Sequence, residues 1–326
     1  MKNSLALIFI SLIGFSSVAQ EKVLLVNGFL HVGNGETLQS AVIGIEKGKI
    51  SFIKNSLAYT IDKKEWDTII QLNGRHIYPG FVAPNSTLGI TEIDAVRATR
   101  DFNEVGALNP HVRSQIAYNA ESKVISTVKT NGILITQATP RGGIISGTSS
   151  VMALEGWNWE DATLRQDDGI HLNWPSPYTF GRWWLGEDRG LKANTNYSKQ
   201  IKDLKNFFEK SKANMNIENS MNLKSNAMKT VLDGETSVYL YADDEKEIVD
   251  GVTFLKSFGI DKIVIVGATE SKNQLNFIKV NNIPVVVKQP YRFPQSVDSD
   301  PMETFAIAKK MLDAGILVSI DPTGTA

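Results

Sequence analysis

The chain contains no cysteine among its 326 residues. This absence excludes disulfide bonds, thiolate zinc sites and a cysteine nucleophile. Histidine is also scarce, with four residues that are far apart in the sequence: His31, His76, His111 and His171. Such spacing counts against a compact histidine-rich metal motif. Neither sign of charge is in excess, with 34 basic and 35 acidic side chains. The overall charge therefore gives no reason to bind nucleic acid or an acidic membrane surface.

Long apolar runs are absent except at the N-terminus. Lys2 precedes an apolar run over 5–15, and small residues follow at Ser17 and Ala19. This order is typical of a secretory signal peptide cleaved after Ala19. The run is shorter than the roughly 20 apolar residues that span a bilayer, and an uncleaved anchor is the alternative. We expect a periplasmic or secreted protein whose mature chain begins near Gln20.

The rest of the sequence is rich in strand signals first and then alternates strands with helices. Residues 22–80 contain short β-branched runs separated by Asn-Gly and Lys-Gly turns. After Pro79-Gly80, helical segments such as 244–258 follow apolar runs, which indicates βαβ crossovers. This order predicts an α/β fold, a TIM-type (β/α)8 barrel preceded by a small β domain. The eight candidate strands are GFVAP, GILITQA, SSVMAL, IHLNW, SVYLYA, KIVIVG, PVVVKQ and ILVSID.

Residues 192–229 differ from the remainder in composition. This segment is rich in lysine and asparagine and keeps a helical apolar stripe at Ile201, Leu204 and Phe208. We interpret it as a solvated helical insertion in the barrel, and a basic docking patch is the alternative.

Several segments of the sequence resemble a known family. They are GKI at 48–50, HIYPGF at 76–81, the run at 91–125 and NGILITQATPRGGIISGTSSVM at 131–152. Together they resemble the metal-dependent amidohydrolase superfamily, and most closely its imidazolonepropionase-like branch of exported bacterial proteins. The resemblance implies a (β/α)8 barrel with a composite β-sandwich, and hydrolysis of a C–N bond by a metal-activated water. The domains are then a signal peptide at 1–19, an N-terminal β-sandwich portion at 20–79 and the barrel at 80–326.

The family's metal ligands are where this sequence departs from the pattern. Asn85 and Thr87 stand where the resemblance places two histidines on the first strand, and Tyr241 stands at the histidine of the fifth. Asp321 lies about two positions before the expected aspartate of the eighth strand. Amides and hydroxyls are weak zinc ligands. The expectation is therefore no metal ligand and no cofactor, although the family normally uses Zn or another divalent metal, and oxygen ligation of Mg²⁺ or Ca²⁺ is the alternative.

The same positions are the candidate site at the mouth of the barrel. Asp321 and His171 are the natural general bases, because His171 ends the fourth strand where its ring can face the mouth. Asn85, Thr87 and Tyr241 are candidate substrate-binding groups. The alternatives are a structural histidine and ordinary polar groups that fill the pocket.

Two further segments have candidate binding roles. Arg97 and Arg100 could hold a substrate carboxylate in a two-pronged contact, and the alternative is a set of ion pairs along a helix. Arg141 begins a glycine-rich loop whose backbone N–H groups could hold an anion. A tight turn that needs positive φ is the alternative for this loop.

Two functions from different classes remain open. The first is an amidohydrolase-like hydrolase acting on a carbon–nitrogen bond, non-peptide or in a cyclic amide, of a small molecule. The second is a non-catalytic relative that binds a ligand or pairs with an active homologue. The expected partners are a small-molecule substrate, no nucleic acid, and a homo-oligomer or homologous partner chain. Because the eighth strand, 316–321, ends the sequence, we expect the front portion of a longer protein or a missing part supplied by another chain.

Overall fold

A computed structural model of the chain describes residues 22–181, 183–188, 190–215, 217, 221–291 and 300–321. The predicted signal peptide, 1–19, and the predicted mature N-terminus lie outside these residues. The chain forms two compact units that divide between Pro79 and Gly80. No helix in the described ranges is long and apolar enough to cross a membrane.

The first unit contains one sheet of five strands. Alternating side chains along its central strands bury Leu24, Val26 and Val42 together with Trp66. The strands are β1 (Val23–His31), β2 (Thr37–Glu46), β3 (Lys49–Asn55), β4 (Thr68–Gln71) and β5 (His76–Ile77). Their order in the sheet is β3-β2-β1-β4, with β5 paired to β1. Within residues 22–79 this is a single layer, and the sandwich remains a prediction.

The second unit is built on a sheet of eight strands that nearly closes into a barrel. The end strands, β6 (Phe81–Ser86) and β15 (Val318–Asp321), meet through a hydrogen bond of 2.7 Å from Asn85 Nδ2 to Asp321 Oδ2. All eight predicted apolar runs form strands of this sheet, which confirms the mixed α/β fold. In spatial order the strands are β15 (Val318–Asp321), β14 (Val285–Lys288), β13 (Ile263–Glu270), β12 (Ser237–Asp244), β9 (Thr163–Asn173), β8 (Ile145–Ala153), β7 (Ile133–Ala138) and β6 (Phe81–Ser86). A separate hairpin pairs β10 (Tyr178–Phe180) with β11 (Leu191–Ala193).

The expectation of a uniform (β/α)8 pattern is wrong at β8, the third strand of this sheet in chain order. β8 runs antiparallel to both of its neighbours, β7 and β9. The reason is the length of the connections. Only residues 139–144 join β7 to β8, whereas a parallel crossover needs about a dozen residues or more. Between β8 and β9 the chain forms only the four-residue helix α2 (Trp159–Ala162).

The main core lies between the later strands and the helices that cover them. Leu240 on β12 and the apolar stripe Ile248, Val252 and Leu255 of one helix are fully buried there. That helix, α6 (Glu245–Ser257), begins with a capping box in which Asp244 and Glu247 satisfy the free backbone N–H groups. The remaining helices are α1 (Lys123–Lys129), α3 (Tyr197–Asn214), α4 (Leu223–Ala227), α5 (Lys229–Leu232), α7 (Leu275–Val280) and α8 (Glu303–Asp313).

Helix α3 is the main element of the lysine- and asparagine-rich segment. Its apolar stripe places Leu204 and Phe208 in the main core, where they are 0% and 1% exposed. The Phe208 ring lies 5.1 Å from the rings of Phe254 and Phe258. One face of this helix is therefore part of the barrel core, and its lysines are on the other faces.

Candidate active site

Polar side chains meet where four strands of the barrel sheet end. Asn85 lies near the end of β6, His171 near the end of β9, and Asp321 ends β15. Tyr241 lies on β12 and contacts both Asn85 and His171. In barrels of this type the carboxyl ends of the strands carry the active site. The structure thus brings four of the predicted site residues together.

Asn85 is the centre of this cluster. Its φ of +50° lies in the left-handed region, which asparagine tolerates better than most residues, and the pairing of β6 with β7 is irregular there. The side-chain Nδ2 donates to Asp321 Oδ2 at 2.7 Å, and Oδ1 accepts from the Tyr241 hydroxyl. The backbone N–H donates to Gln137 Oε1 at 3.0 Å. The unusual backbone conformation therefore presents both ends of the amide to partners.

Arg141 places a positive charge beside Asn85. Its Nη1 donates to Asn85 Oδ1 at 2.6 Å and to the Tyr241 hydroxyl at 2.8 Å, and its Nη2 donates to the Asn85 carbonyl. The loop that carries it needs glycine. Gly143 has a φ of +67°, and a Cβ there would lie 2.9 Å from the backbone oxygens of Gly106 and Ala107. The glycine-rich loop is thus a tight connection that positions the guanidinium.

His171 is fully buried beside this cluster. Its Nδ1 shares a hydrogen bond of 3.0 Å with the Tyr241 hydroxyl, and its ring stacks on Tyr239 with centroids 4.6 Å apart. Burial, and secondarily the charge of Arg141, lower the pKa of His171 well below its usual value. The Tyr241 hydroxyl donates its proton to Asn85 Oδ1, so it accepts the hydrogen bond from His171. The neutral imidazole therefore carries its proton on Nδ1 and donates from that atom. This leaves Nε2 as a buried acceptor without a partner among the described residues.

The Tyr241 hydroxyl remains protonated at neutral pH. Burial raises the pKa of Tyr241 to about 12, since desolvation outweighs the opposing charge of Arg141. This hydroxyl therefore acts as a neutral link between the imidazole and the amide.

A second polar group lies deeper in the same sheet. Asp168 accepts hydrogen bonds from the Tyr239 hydroxyl at 2.6 Å and from Gln137 Nε2 at 2.9 Å, and Arg165 pairs with it at 3.2 Å. Gln137 links this group to Asn85, because its Oε1 accepts from the Asn85 backbone. Burial, followed by the charge of Asp168, raises the pKa of Tyr239.

Sequence reasoning missed Gln137, Asp168 and Tyr239, and it considered Arg141 only through the backbone of its loop. A signal was present for two of them. Tyr239 lies two residues before Tyr241 and so faces the same side of a strand, and Gln137 interrupts an apolar run.

Three predicted binding residues do not join the cluster. Thr87 follows β6, where its carbonyl accepts from the Ile90 N–H at 3.0 Å. Arg97 is exposed in a short 3-10 turn, Arg97–Thr99, and Arg100 lies over the Phe102 ring at 5.8 Å. This segment forms a 3-10 turn and no α-helix, so the alternative of ion pairs along a helix does not apply, and the binding roles of these residues stay predictions.

The family resemblance implies a divalent metal ion, and the side chains can be tested for it. Over the described ranges, no group of three or more His, Asp or Glu side chains could hold a metal ion. The guanidinium of Arg141 already donates hydrogen bonds to the oxygens of Asn85 and Tyr241. A metal cation bound beside it would be repelled by its positive charge. This arrangement does not fit a zinc ion.

Several solved structures match this chain, and the first has a similar fold. An amidohydrolase from Thermotoga maritima MSB8 matches with a TM-score of 0.77 and 18% identity, over 92% of this chain and 78% of that one. An adenosine deaminase from Xanthomonas campestris with bound zinc matches with a TM-score of 0.43 and 10% identity, over 93% and 69% of the two chains. An ochratoxinase from A. niger matches with a TM-score of 0.43 and 11% identity, over 92% and 75% of the two chains.

No protein-family model matches the sequence, and no curated protein does. The match to an amidohydrolase structure contradicts the expectation of no cofactor, because the resemblance gives that family a divalent metal ion. That expectation was wrong because it depended on a few strand-end positions, which test one ligand set only. At 18% identity the first match establishes the fold, and this chain has the fold of an amidohydrolase structure.

Proposed function

We propose that the protein hydrolyses a carbon–nitrogen bond of a small cyclic or peptide-like molecule at the Asn85 cluster. One observation carries the proposal. The amide of Asn85 holds the Asp321 carboxylate at 2.7 Å and the Arg141 guanidinium at 2.6 Å, at the strand ends where barrel enzymes place their catalytic groups. The fold shared with an amidohydrolase supports it. On the quoted segments we assign the chain to the amidohydrolase superfamily, near its imidazolonepropionase-like branch.

In this proposal Arg141 binds the carbonyl oxygen of the scissile amide. That oxygen gains negative charge as the carbonyl carbon becomes tetrahedral. A fixed cation with two donors stabilises this charge more than it stabilises the neutral carbonyl, which lowers the barrier. The substrate oxygen replaces the Asn85 carbonyl or the Tyr241 hydroxyl as the acceptor.

Asp321 is the general base of the proposed reaction. Its carboxylate takes a proton from a water molecule, and the water oxygen forms a bond to the carbonyl carbon. The C–N bond then breaks, and the proton passes from Asp321 to the leaving nitrogen. Asn85 orients the carboxylate by donating to Oδ2. His171 is a positioning residue, because its lowered pKa makes it a poor proton acceptor and its Nδ1 holds the Tyr241 hydroxyl.

One observation favours the non-catalytic alternative. Arg141, Asn85 and Tyr241 satisfy one another, so the cluster forms a closed polar network. A non-catalytic relative that binds a ligand, or that pairs with an active homologue, needs only such a structural network and no free catalytic group.

The experiment is a hydrolysis assay on the mature chain from residue 20, with and without added Zn²⁺. N-acyl amino acids, dipeptides and cyclic amides serve as substrates, and release of the amine is measured. We expect turnover of at least one substrate, and a loss of about 10²–10⁴-fold in Asp321→Asn. The control is Asp313→Asn, which removes the same charge from an exposed ion pair on α8. A folded protein that hydrolyses nothing under either condition contradicts the proposal and favours the alternative.

We also propose that the protein is periplasmic or secreted. The support for this location is the N-terminal sequence, in which Lys2, the apolar run and Ala19 follow the order of a cleaved signal peptide.

A further inference from the structure

The barrel unit contains a cavity of about 890 Å³ that the mechanism above does not use. It is lined by the ends of β12 and β13, the first turn of α6, the β10–β11 hairpin and the first residue of α8. Asp243 on β12 is one of its lining residues and lies two positions after Tyr241. Two residues of an extended chain span about 7 Å. The cavity therefore begins about that far along β12 from the backbone of Tyr241, past an irregularity in the pairing of β12 with β13.

Six of the fourteen described residues that line this cavity are acidic, and two are basic. The α6 capping box uses two of the carboxylates, and the Lys246 amine lies 2.6 Å from Asp250, which neutralises it locally. The lining still contains an excess of negative charge. Its acidic members are Asp243, Asp244, Glu245, Glu247, Glu270 and Glu303, against Lys246 and Lys272 among the described residues.

Glu303 has an unsatisfied carboxylate oxygen at this cavity. The residue is 5% exposed, and its Oε2 accepts from Lys310 Nζ at 2.8 Å. Its Oε1 is buried and has no hydrogen-bond partner within the described part of the chain. A buried carboxylate oxygen without a donor is costly. A ligand with N–H donors in the cavity would satisfy it.

The hairpin adds apolar and aromatic surface to the same cavity. Tyr178 and Phe180 on β10 and Leu191 on β11 line it, although each is about half exposed to solvent. Aromatic faces attract cations, and apolar side chains pack against an alkyl chain. The lining thus combines negative charge with apolar surface, which suits an organic cation.

A metal ion fits this cavity poorly. Among the described residues no three acidic or histidine side chains are close enough to hold one ion. A cation larger than a metal ion can reach carboxylates that are spread over several elements.

We propose that this cavity binds an organic cation, an ammonium or guanidinium group on a short apolar chain, and that the substrate carries this group. The second part rests on the proposed function, since it makes the ligand the molecule that is hydrolysed at the Asn85 cluster. The preferred substrates are then amides with a basic side chain.

Binding is tested with n-pentylammonium and neutral 1-pentanol by titration calorimetry. We expect binding of the ammonium only, weakened at least tenfold in Glu303→Gln and also weakened in Phe180→Ala. Glu209→Gln, which removes the same charge from an exposed residue of α3, leaves the affinity unchanged. Equal binding of the alcohol, or an unaltered affinity in both cavity variants, overturns the inference. Binding of Ca²⁺ in place of the ammonium overturns it in favour of a metal site.

A hydrolysis assay on two amides distinguishes failure of this inference from failure of the proposed function. Amides of lysine and of norleucine differ in the ammonium group, and we expect kcat/KM to be at least tenfold higher for lysine, with the preference lost in Glu303→Gln. Equal rates for both overturn the inference and leave the hydrolase proposal standing. Ammonium binding without hydrolysis of any amide contradicts the hydrolase proposal and leaves the cation site standing. Circular dichroism establishes that Glu303→Gln folds, and Phe180→Ala, on an exposed hairpin, provides the test if it does not.

Discussion

At the scale of single residues, the Asn85 cluster depends on a geometry that only arginine provides. The planar guanidinium of Arg141 donates at the same time to the Asn85 side chain, the Asn85 carbonyl and Tyr241. A lysine keeps the charge but cannot make the same fork. The contribution of this residue therefore lies in its donors as much as in its charge.

Replacing Arg141 by lysine should lower the free energy of unfolding by about 1–3 kcal/mol, because buried acceptors lose their donors. Chemical denaturation with urea measures this change. Arg97→Lys is the matched control, since Arg97 is exposed, and its expected effect is within about 0.5 kcal/mol. Equal stability of Arg141→Lys and the unaltered chain contradicts the role assigned to the fork.

The buried imidazole of His171 makes stability depend on pH. Burial lowers its pKa in the folded state, whereas the unfolded chain titrates near the ordinary value of 6.5. Between these two pKa values the unfolded state binds one more proton. In this pH range the free energy of unfolding therefore rises with pH, by up to about 1.4 kcal/mol per pH unit. The contribution of His171 to stability is complete above pH 6.5 and is lost as the pH falls below that value.

His171→Phe keeps the aromatic ring on Tyr239 and removes the titration. We expect a shallower loss of stability in this variant between pH 6.5 and pH 4.5, measured by urea denaturation at each pH. Carboxylates also contribute to acid destabilisation, so the difference between the two proteins is the relevant quantity. Parallel curves for His171→Phe and the unaltered protein would contradict this account.

At the scale of elements, helix α3 illustrates why composition alone is a poor guide. Its lysines and asparagines predict a solvated insertion, yet two positions of its stripe, Leu204 and Phe208, are fully buried. A helix needs only one apolar face to pack against a core. The neighbouring Phe207 is only partly buried.

Phe208→Ala should cost about 3–5 kcal/mol of stability, since it leaves a cavity between α3 and two other phenylalanine rings. Phe207→Ala is the matched control and should cost clearly less, because its ring is partly exposed. Thermal unfolding followed by circular dichroism compares the two variants. A smaller loss for Phe208→Ala than for Phe207→Ala would show that α3 does not pack as the structure places it.

The loop between β7 and β8 is a second element whose sequence is explained by backbone geometry. A Cβ at Gly143 would contact two backbone oxygens at 2.9 Å, and its φ is +67°. Gly234 has a φ of +73° but nothing within 4 Å of a Cβ. Gly234→Ala should therefore lower the free energy of unfolding by about 1–2 kcal/mol, because alanine disfavours the left-handed backbone. Gly143→Ala should cost more in urea denaturation, and an equal cost would contradict the close approach.

At the scale of the whole molecule, the strands of the barrel were predictable because each signal is local. Apolar runs between glycine and proline turns mark all eight, from β6 to β15. The reversed direction of β8 follows from a six-residue connection and was predictable in principle from that length. The contacts of the Arg141 side chain were not predictable, because they depend on which strand ends the nearly closed sheet brings together. For the same reason Asn85 and Asp321, 236 residues apart, could be paired only through the resemblance.

The N-terminal sequence predicts that the chain is exported and cleaved after synthesis. If the full-length chain is produced in a Gram-negative bacterium, mass spectrometry of the periplasmic fraction should find an N-terminus at Gln20. The reason is that cleavage needs small residues at the positions occupied by Ser17 and Ala19. Ala19→Lys places a long charged side chain at the cleavage site and should yield an uncleaved, membrane-associated product. Ser17→Ala keeps a small residue and should be processed normally. A product of the unaltered chain that begins at Met1 and remains with the membrane would instead establish the uncleaved anchor.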